Sequence, residues 1–368
     1  MKKICIIILL LFNVALTYSQ NNKFIKWQDP AFFRGYNVLY ESPKTLQDFI
    51  DFRNYGGNLF HIGTDGFMDE DPPYSIIQEN IEGTDLLVSF CKRAGIYYAI
   101  AVRSGPGAYD TYDESQGWTG ESRIWNTGNF TEQQLYASML RMIIERYNQD
   151  TLFVGLNLVV EPRPKFRFIP ANNSNLYKWF LENIFNIHMD QVYQFFINEI
   201  RADNPELPII LENFAFSTPE LFPAYIINDP YIIYSSHNYQ PKEYTNAAVP
   251  YSRTYPGFYW NITYLSQQYY DANFMRQTVF SRLRSFEIAA RAPIFLGEFG
   301  MLYPQNGGPV YLRDVLDICL DYGWHFGLWD WRRGSGQQWN IENFQGDQNL
   351  HWKTVLSKFH APPVPALL

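Results

Sequence analysis

The sequence has 368 residues, of which 46% are hydrophobic and 18% are charged. This composition excludes a disordered or fibrous protein and suffices for one large barrel or two ordinary domains. Lys and Arg number 29 against 37 Asp and Glu, a formal net charge of −8. Because the basic residues form no block, nucleic acid is excluded as a partner.

Residues 1–20 have the pattern of a secretory signal peptide. Lys2 and Lys3 precede an apolar run from Ile4 to Leu16, and small and polar residues follow as far as Gln20. The run is shorter than the roughly 20 residues of a membrane span, and no later segment is apolar for long enough, so we expect no membrane span. The sequence therefore predicts a secreted protein, extracellular or periplasmic, with residues 21–368 as one mature domain.

Beyond residue 30, short apolar runs of strand length alternate about eight times with longer runs of helical period. Such alternation is typical of repeated βα units. In one helical run, Tyr136, Leu140, Ile143 and Tyr147 share a face that we expect to pack on the sheet. The expected strands are Phe32–Val38, Asn58–Gly63, Ile96–Val102, Leu152–Val160, Leu207–Glu212, Ile232–His237, Pro293–Glu298 and His325–Trp331.

Eight such units over about 340 residues favour a single (β/α)8 barrel, or TIM barrel, over an open doubly wound sheet, which usually has fewer units. No G-x-G-x-x-G turn follows the first strand. In a barrel, the loops after the strands lie together on the C-terminal face and form the active site. Four of these loops are long: Asp65–Ser75, Pro106–Asn129, Arg163–Asn186 and Gln240–Asp271.

The long loops contain many of the aromatic residues, which make up 18% of the chain. Trp125, Tyr255, Tyr259 and Trp260 are among them. Because aromatic rings suit the apolar faces of sugars, we expect such rings to divide between stacking on a ligand and packing the loops. The stretch from Tyr251 to Tyr270 is the best candidate for recognition of a specific substrate.

No cofactor or metal site is expected. Cys5 falls in the signal peptide, and Cys91 and Cys319 lie within apolar helical patterns, which predict buried free thiols. The histidines form no H-E-x-x-H pair for zinc, and no Gly-x-Ser-x-Gly elbow of a serine hydrolase follows any strand.

Two glutamates end apolar strands. Glu161 follows the fourth strand and precedes Pro162, and Glu298 ends the seventh strand. A carboxylate buried beside hydrophobic residues costs several kcal/mol unless it is paired, so this placement favours chemistry. For either glutamate alone, a side chain that reaches solvent or forms a salt bridge, for example with Arg163, is the simpler alternative.

The fourth and seventh strands of a barrel face each other across the lumen. A pair of carboxyl groups is the usual set of catalytic groups in glycoside hydrolysis. One carboxyl stays protonated to donate a proton to the leaving oxygen, and the other is ionised. A separation of about 5 to 5.5 Å is typical of retaining enzymes, and roughly 6.5 to 9.5 Å of inverting ones.

Six motifs occur in order along the predicted strands: Arg34-Gly35-Tyr36-Asn37, Gly105-Pro106-Gly107, Glu161-Pro162, His237-Asn238-Tyr239, Leu296-Gly297-Glu298-Phe299-Gly300 and Trp329-Asp330-Trp331. This set resembles glycoside hydrolase family 5, which includes cellulases and mannanases, over nearly the whole mature chain. The resemblance implies a monomeric retaining glycosidase that needs no cofactor and cleaves β-linked polysaccharides or oligosaccharides. Arg34 is expected among the residues that bind the substrate.

The resemblance also implies a role for individual residues. Glu161 would be the acid/base and Glu298 the nucleophile. Trp329 would form the platform under the sugar at the cleavage point. Tyr239 would donate a hydrogen bond to the nucleophile, and His237 would contact sugar hydroxyls.

Several positions depart from the family pattern. An Asn normally precedes the acid/base and binds the sugar 2-hydroxyl, but Val160 stands there; Asn157, inward by strand parity, is a candidate to supply the amide. His61 replaces an Arg that braces the nucleophile, and Arg103 replaces a His, so we hypothesise that these two substrate-binding candidates have exchanged places. Glu212, which ends the fifth strand, is expected to hydrogen-bond the substrate or support the pair.

These departures leave one alternative open. A carbohydrate-binding protein on a glycosidase barrel, with catalysis lost, would also alter the residues that contact the sugar. Retention of both glutamates argues against this alternative, because a binding protein has little use for a buried pair of acids.

Overall fold

Ten strands occur in the structure, a computed structural model that describes residues 23–41, 44–109, 122–164, 174–222, 225–332, 339–344 and 349–359. They are β1 (Arg34–Leu39), β2 (Leu59–Thr64), β3 (Tyr97–Val102), β4 (Phe153–Asn157), β5 (Ile209–Glu212), β6 (Ile232–Asn238), β7 (Gly257–Asn261), β8 (Ser266–Tyr270), β9 (Ile294–Phe299) and β10 (His325–Leu328). Eight of them close into a barrel in the order β1-β10-β9-β6-β5-β4-β3-β2. All neighbours in the barrel are parallel, whereas β7 and β8 form a separate antiparallel hairpin.

Helices fill the connections between the strands. They are α1 (residues 23–28), α2 (Leu46–Asn54), α3 (Gln78–Ala94), α4 (Phe130–Tyr147), α5 (Ser174–Asn183), α6 (Met189–Arg201), α7 (Lys242–Thr245), α8 (Ala272–Phe274), α9 (Ser281–Ala290), α10 (Gly308–Tyr322) and α11 (Leu350–Phe359). The barrel strands are buried on both faces, since helices cover the outside and side chains fill the lumen. For this reason each strand has an apolar run rather than a strict alternation.

The structure confirms the predicted barrel and all eight predicted strands, with some different ends. β4 ends at Asn157 rather than Val160. Beyond it the backbone stays tied to both neighbouring strands, because Leu158 N donates to Ile210 O (3.2 Å) and Val160 N to Val102 O (2.9 Å). β10 likewise ends at Leu328 rather than at Trp331.

Helix α4 packs on the barrel by the expected face. Tyr136, Leu140, Ile143 and Tyr147 are all buried. The hydroxyl of Tyr136 also donates to the carbonyl of Leu158 at 2.7 Å. This contact fastens α4 to the segment that leads from β4 into the C-terminal face.

The half of the lumen at the N-terminal ends of the strands is apolar, and α1 closes it. Trp27 of α1 is buried against the rings of Phe33 and His325 and donates from its indole nitrogen to Val154 O at 2.8 Å. The backbone N–H of Phe33 donates to Nδ1 of His325, so Nε2 carries the proton and donates to Trp27 O at 2.8 Å. Among the described residues, α1 blocks the N-terminal end of the lumen and the C-terminal face is the open end.

The long connection after β6 is more ordered than expected, because it contains the β7-β8 hairpin. Of the rings that we expected in loops, Trp125, Tyr255 and Tyr259 are buried, and Trp260 is 51% exposed. Parts of two other long connections, residues 110–121 and 165–173, lie outside the described residues.

Two further expectations concern thiols and membranes. Cys91 and Cys319 are buried and free, as predicted. Within the described segments, no helix combines the length and the apolarity that crossing a membrane requires.

Candidate active site

Glu161 and Glu298 meet at the C-terminal end of the barrel. One carboxylate oxygen of each lies within 4.8 Å of the other, and a ring nitrogen of His237 lies within the same distance of both. Glu161 lies beyond the end of β4 and Glu298 lies in β9, on opposite parts of the barrel wall. Two carboxyl groups this close can act on the same bond of a bound molecule.

An irregularity between β6 and β9 places His237 beside Glu298. Ser236 pairs with Leu296, and His237 pairs with Glu298, so Gly297 is an extra residue on β9. A Cβ atom at Gly297 would lie 2.4 Å from the hydroxyl oxygen of Ser235. A larger residue at this position would displace Ser235, and the register shift pairs His237 with Glu298.

Glu298 is buried, and two neighbouring side chains hold its two oxygens. Tyr239 donates its hydroxyl to Oε2 at 3.0 Å, and Arg103 donates from Nη1 to Oε1 at 3.3 Å. Burial raises the pKa of Glu298 to about 7, although the positive charges of His237 and Arg103 act in the opposite direction. The site thus holds a carboxylate that is costly to ionise beside the cations that favour its ionised form.

Arg103 also joins the nucleophile candidate to the aromatic floor of the site. Its guanidinium carbon lies 5.2 Å from the centroid of the Trp329 ring. Trp329 is 8% exposed. A cation over an aromatic face is attracted to it, so Arg103 and Trp329 fix each other's position next to Glu298.

Glu161 occupies an unusual backbone conformation. Its φ angle is 46°, in the left-handed region that residues other than glycine rarely adopt. Its backbone N–H donates to Oε2 of Glu212 at 2.7 Å. Its side-chain oxygen Oε1 accepts a hydrogen bond from Nδ1 of His237 at 2.9 Å.

Glu212 is fully buried beneath this pair and is surrounded by donors. Besides the N–H of Glu161, it accepts from Asn157 (2.6 Å), His237 (3.1 Å) and Ser235 (3.2 Å). Burial alone would raise the pKa of Glu212, but the charge of His237 and these hydrogen bonds lower it to about 2. Glu212 is therefore an ionised carboxylate at every pH of interest.

His237 is charged for the same reason. Burial acts to lower its pKa, but the negative charges of Glu212 and Glu298 and the hydrogen bonds to Glu161 and Glu212 raise it well above the ordinary value. The ring is an imidazolium whose Nδ1 also lies 3.6 Å from Oε2 of Glu298. It thus contacts all three carboxylates of the site.

A second polar layer lies below Glu212. His61 Nδ1 lies 2.8 Å from the side-chain oxygen of Asn37, whose amide nitrogen donates to Gly297 O at 2.7 Å. Since Asn37 offers an acceptor, His61 carries its proton on Nδ1. Burial lowers the pKa of His61 to about 3, so the ring is neutral, and its Nε2 faces the amide of Asn157 at 3.4 Å.

The structure brings six of the predicted site residues together around the cleft: Glu161, Glu298, Arg103, His237, Tyr239 and Trp329. It corrects the prediction for Arg34. That residue begins β1, at the end of the barrel opposite the cleft, and its guanidinium donates to the carbonyls of Ala31 (2.9 Å) and Lys358 (2.8 Å). Its role is to hold the C-terminal helix against the barrel.

Three further residues that were predicted to bind the substrate are buried below the cleft, and for Glu212 this favours the other role that the sequence left open, support of the two glutamates. Asn157, Glu212 and His61 are each at most 1% exposed. Asn157 cannot supply the missing amide, because it donates to Glu212 instead. Only half of the hypothesised exchange is seen, since Arg103 contacts Glu298 whereas His61 contacts Asn37 and Asn157. His237 also differs from expectation, because its nitrogens face carboxylates rather than the open cleft.

Sequence reasoning missed Asn37 and Ser235 as parts of the site. Asn37 links His61 to the backbone of β9, and Ser235 donates to Glu212. A signal was present in both strands, because each residue is a polar side chain inside an apolar run. Polar residues at inward positions of a barrel strand require partners, and here those partners lie beneath the reacting pair.

Two groups in the described residues have metal-like spacing. The first is Glu161, His237 and Glu298 themselves. A protonated imidazole has no lone pair for a metal, so His237 as an imidazolium is a poor ligand. The second group, Glu182, His188 and Asp190, lies at α5 and the start of α6 and is half-buried.

Structural comparison finds the same barrel in known glycosidases. A GH5-4 broad specificity endoglucanase from Bacteroides salanitronis has a TM-score of 0.65 at 16% identity, covering 90% of this chain and 93% of its own. A family 5 xyloglucanase from Paenibacillus pabuli has a TM-score of 0.65 at 13% identity, covering 90% and 99%. The cellulose synthase subunit Z from Clostridioides difficile has a TM-score of 0.61 at 17% identity, covering 89% and 99%.

The two sequence comparisons gave different results. No curated protein sequence matches the chain significantly. The profile of the Cellulase family, glycosyl hydrolase family 5, matches residues 24–335. That match spans the barrel from α1 to beyond β10 and includes both glutamates of the site. The chain therefore belongs to glycosyl hydrolase family 5 and is an O-glycosyl hydrolase.

Proposed function

We propose that the protein is a secreted retaining glycosidase that cleaves β-linked glucans or related polysaccharides by double displacement. Glu298 is the nucleophile and Glu161 the acid/base. The observation that carries this proposal is the pair of carboxylate oxygens within 4.8 Å of each other. Such a gap favours direct attack by a carboxylate over attack by an interposed water.

In the first step, ionised Glu298 attacks the anomeric carbon while Glu161 transfers its proton to the glycosidic oxygen. The bond to the leaving sugar breaks, and a covalent glycosyl-enzyme forms on Glu298. Arg103 and Tyr239 hold the attacking carboxylate before the bond forms. Trp329 lies next to Arg103 and supplies an aromatic face for the sugar ring.

In the second step, Glu161 is a carboxylate and removes a proton from a water molecule. The water oxygen attacks the anomeric carbon, and Glu298 leaves with the electron pair of the ester bond. Two inversions return the product to the configuration of the substrate. The imidazolium of His237 stabilises whichever of the two carboxylates carries the negative charge.

The substrate class rests on similarity. Relatives of known structure are named as a broad specificity endoglucanase, a xyloglucanase and an endo-β-1,4-glucanase. The charges of the site also favour a neutral sugar over an anionic one. Arg103 is paired with Glu298, and a further negative charge would lie beside the carboxylates. The acidic chain, with its net charge of −8, also disfavours an anionic polymer.

Glu298→Ala and Glu161→Ala should each lower turnover of a β-glucan by at least about 1,000-fold without unfolding the protein. Reducing-sugar release from a panel of polysaccharides measures turnover, and circular dichroism measures folding. Proton NMR of the first product should show the β-anomer. An initial α-anomer, or near-native turnover by either variant, would contradict the assignment.

The same panel distinguishes the non-catalytic alternative. This alternative was motivated by the absence of an amide before Glu161. Val160 occupies that position and is 4% exposed. A carbohydrate-binding protein would bind a polysaccharide of the panel and release no product from any. Binding measured on the same samples, for example by affinity electrophoresis, separates this outcome from an incorrect choice of substrate.

A further inference from the structure

We propose that Glu212 is a positioning residue for the acid/base. Its buried carboxylate holds the backbone of Glu161 directly and the carboxyl group of Glu161 through His237. This role rests on the proposed function, in which Glu161 must present a proton to the leaving oxygen.

The direct contact fixes the main chain. The N–H of Glu161 donates to Oε2 of Glu212 at 2.7 Å. Glu161 stands at a φ angle of 46°, and such conformations persist only where the surroundings hold them. β4 has already ended at Asn157, so the regular ladder does not supply this support. The bond from Glu212 does so at the residue itself.

The indirect contact fixes the carboxyl group. His237 Nε2 donates to Oε1 of Glu212 at 3.1 Å, and Nδ1 donates to Oε1 of Glu161 at 2.9 Å. Both ring nitrogens are thus used, and the ring plane is set. One oxygen of Glu161 is held by the imidazolium, which leaves the other oxygen to carry the proton toward the leaving group.

The negative charge of Glu212 is required by its surroundings. All four contacting groups are donors: the N–H of Glu161, the amide of Asn157, the ring of His237 and the hydroxyl of Ser235. An ionised carboxylate is an acceptor only and satisfies this set, whereas a glutamine would turn an NH₂ group toward donors. The charge also keeps His237 protonated.

The test compares substrates that differ in their need for an acid. Glu212→Gln should lower kcat/KM for an unactivated β-linked oligosaccharide by at least about 100-fold, because its leaving oxygen needs a proton. The same variant should lower kcat/KM for a dinitrophenyl β-glycoside by less than about tenfold, because that leaving group departs without one. A merely structural defect would lower both values by the same factor.

A matched control exists in the same part of the chain. Glu220 is a second buried glutamate, 3% exposed, and accepts from the amide of Asn261 at 2.6 Å on the far side of the loop that follows β5. Glu220→Gln makes the same chemical change in a buried carboxyl outside the site. It should leave the ratio of the two kcat/KM values unchanged.

A second variant covers the case in which Glu212→Gln fails to fold. His237→Gln removes the contact to the carboxyl group of Glu161 but keeps the bond from Glu212 to its backbone, so it should also lower kcat/KM more for the unactivated oligosaccharide than for the dinitrophenyl glycoside. Because Glu212 acts in part through His237, the loss in the double variant should be smaller than the product of the two single losses. Nitrogen NMR of His237 gives a readout besides activity. The ring should be an imidazolium at pH 7 in the wild type, and its pKa should be lower in Glu212→Gln than in the wild type.

Equal losses on both substrates in both variants, or a pKa of His237 that does not fall in Glu212→Gln, would overturn the positioning role while the wild type remains a working glycosidase. A wild-type protein inactive on the dinitrophenyl glycoside and on the polysaccharide panel would overturn the proposed function, and this role with it.

Discussion

At the scale of single residues, the site is a balance of charges in a small buried volume. Three carboxylates, Glu161, Glu212 and Glu298, share one imidazolium, His237, and Glu298 has Arg103 as a further cation. Like charges at such distances cannot all ionise without compensation. Glu212 takes the strongest donors and stays ionised, while burial raises the pKa of Glu298 to about 7. The pH dependence of activity should therefore report on Glu298.

The acidic limb of kcat/KM should lie near pH 7, because Glu298 must be ionised to attack, and activity should fall as the pH drops below this value. Arg103→Met removes a cation that lowers the pKa of Glu298. The limb should therefore move to higher pH, by about one unit or more. A dinitrophenyl β-glycoside should be used, since its cleavage does not depend on the acid.

Arg276→Met is the matched control, because Arg276 pairs with Asp321 at the surface. Its pH profile should superimpose on that of the wild type. A limb that stays in place in Arg103→Met, or that moves to lower pH, would contradict the account of the charges around Glu298.

At the scale of elements, α1 decides which end of the barrel is open. Its Trp27 packs on Phe33 with ring centroids 4.4 Å apart and on Phe295 at 5.7 Å. The indole N–H is paired with Val154 O, and the backbone carbonyl of Trp27 with His325. The helix thus contacts three strands, β4, β9 and β10, and the residue before β1 at the closed end, away from Glu161 and Glu298. Stability and catalysis are separated along the barrel axis.

Trp27→Ala should lower the free energy of unfolding by about 3 to 5 kcal/mol, the usual cost of removing a large buried aromatic side chain. Below the midpoint of thermal unfolding, kcat/KM should stay within about twofold of the wild type. Urea unfolding followed by circular dichroism measures the first quantity. Trp260→Ala, at a half-exposed ring on β7, should cost less than about 0.5 kcal/mol.

If Trp27→Ala unfolds at the same urea concentration as Trp260→Ala, α1 does not close the barrel as described. If instead Trp27→Ala loses activity while it is folded, the closed end of the barrel and the cleft are coupled, which contradicts the separation of stability and catalysis.

At the scale of the whole molecule, the architecture gathers residues that the chain keeps apart. One cleft receives side chains from the C-terminal ends of five strands. They are Arg103 after β3, Glu161 after β4, His237 on β6, Glu298 on β9 and Trp329 after β10. The closed lower lumen leaves this cleft as the route for a substrate.

Export should remove residues 1–20. Expressed with its leader in a bacterial host, the protein should appear in the periplasm or medium with Asn21 as its first residue, as measured by intact mass and N-terminal sequencing. Ile8→Asp, which interrupts the apolar run, should keep the uncleaved chain inside the cell. An uncleaved native leader in an exported or a cytoplasmic protein would contradict the prediction.

The sequence by itself determined the eight barrel strands and singled out the two glutamates. Apolar runs and helical periods depend on local contacts that every strand and helix must make, so eight strands were predicted with small errors at their ends. Glu161 and Glu298 were found because an acid at the end of an apolar strand contradicts local packing. The prediction that Arg34 binds the substrate was wrong, because a sequence motif does not reveal at which end of the barrel a side chain lies.

The tertiary structure alone decided how these residues meet. The extra residue at Gly297 brings Glu298 beside His237, and such a register shift depends on the pairing of β6 with β9 rather than on either strand. Glu212 is likewise defined by donors from its two neighbouring strands, β4 and β6, and from the backbone of Glu161. Depth in the lumen separates residues that touch a substrate from residues that hold others, and depth exists only once the barrel has closed.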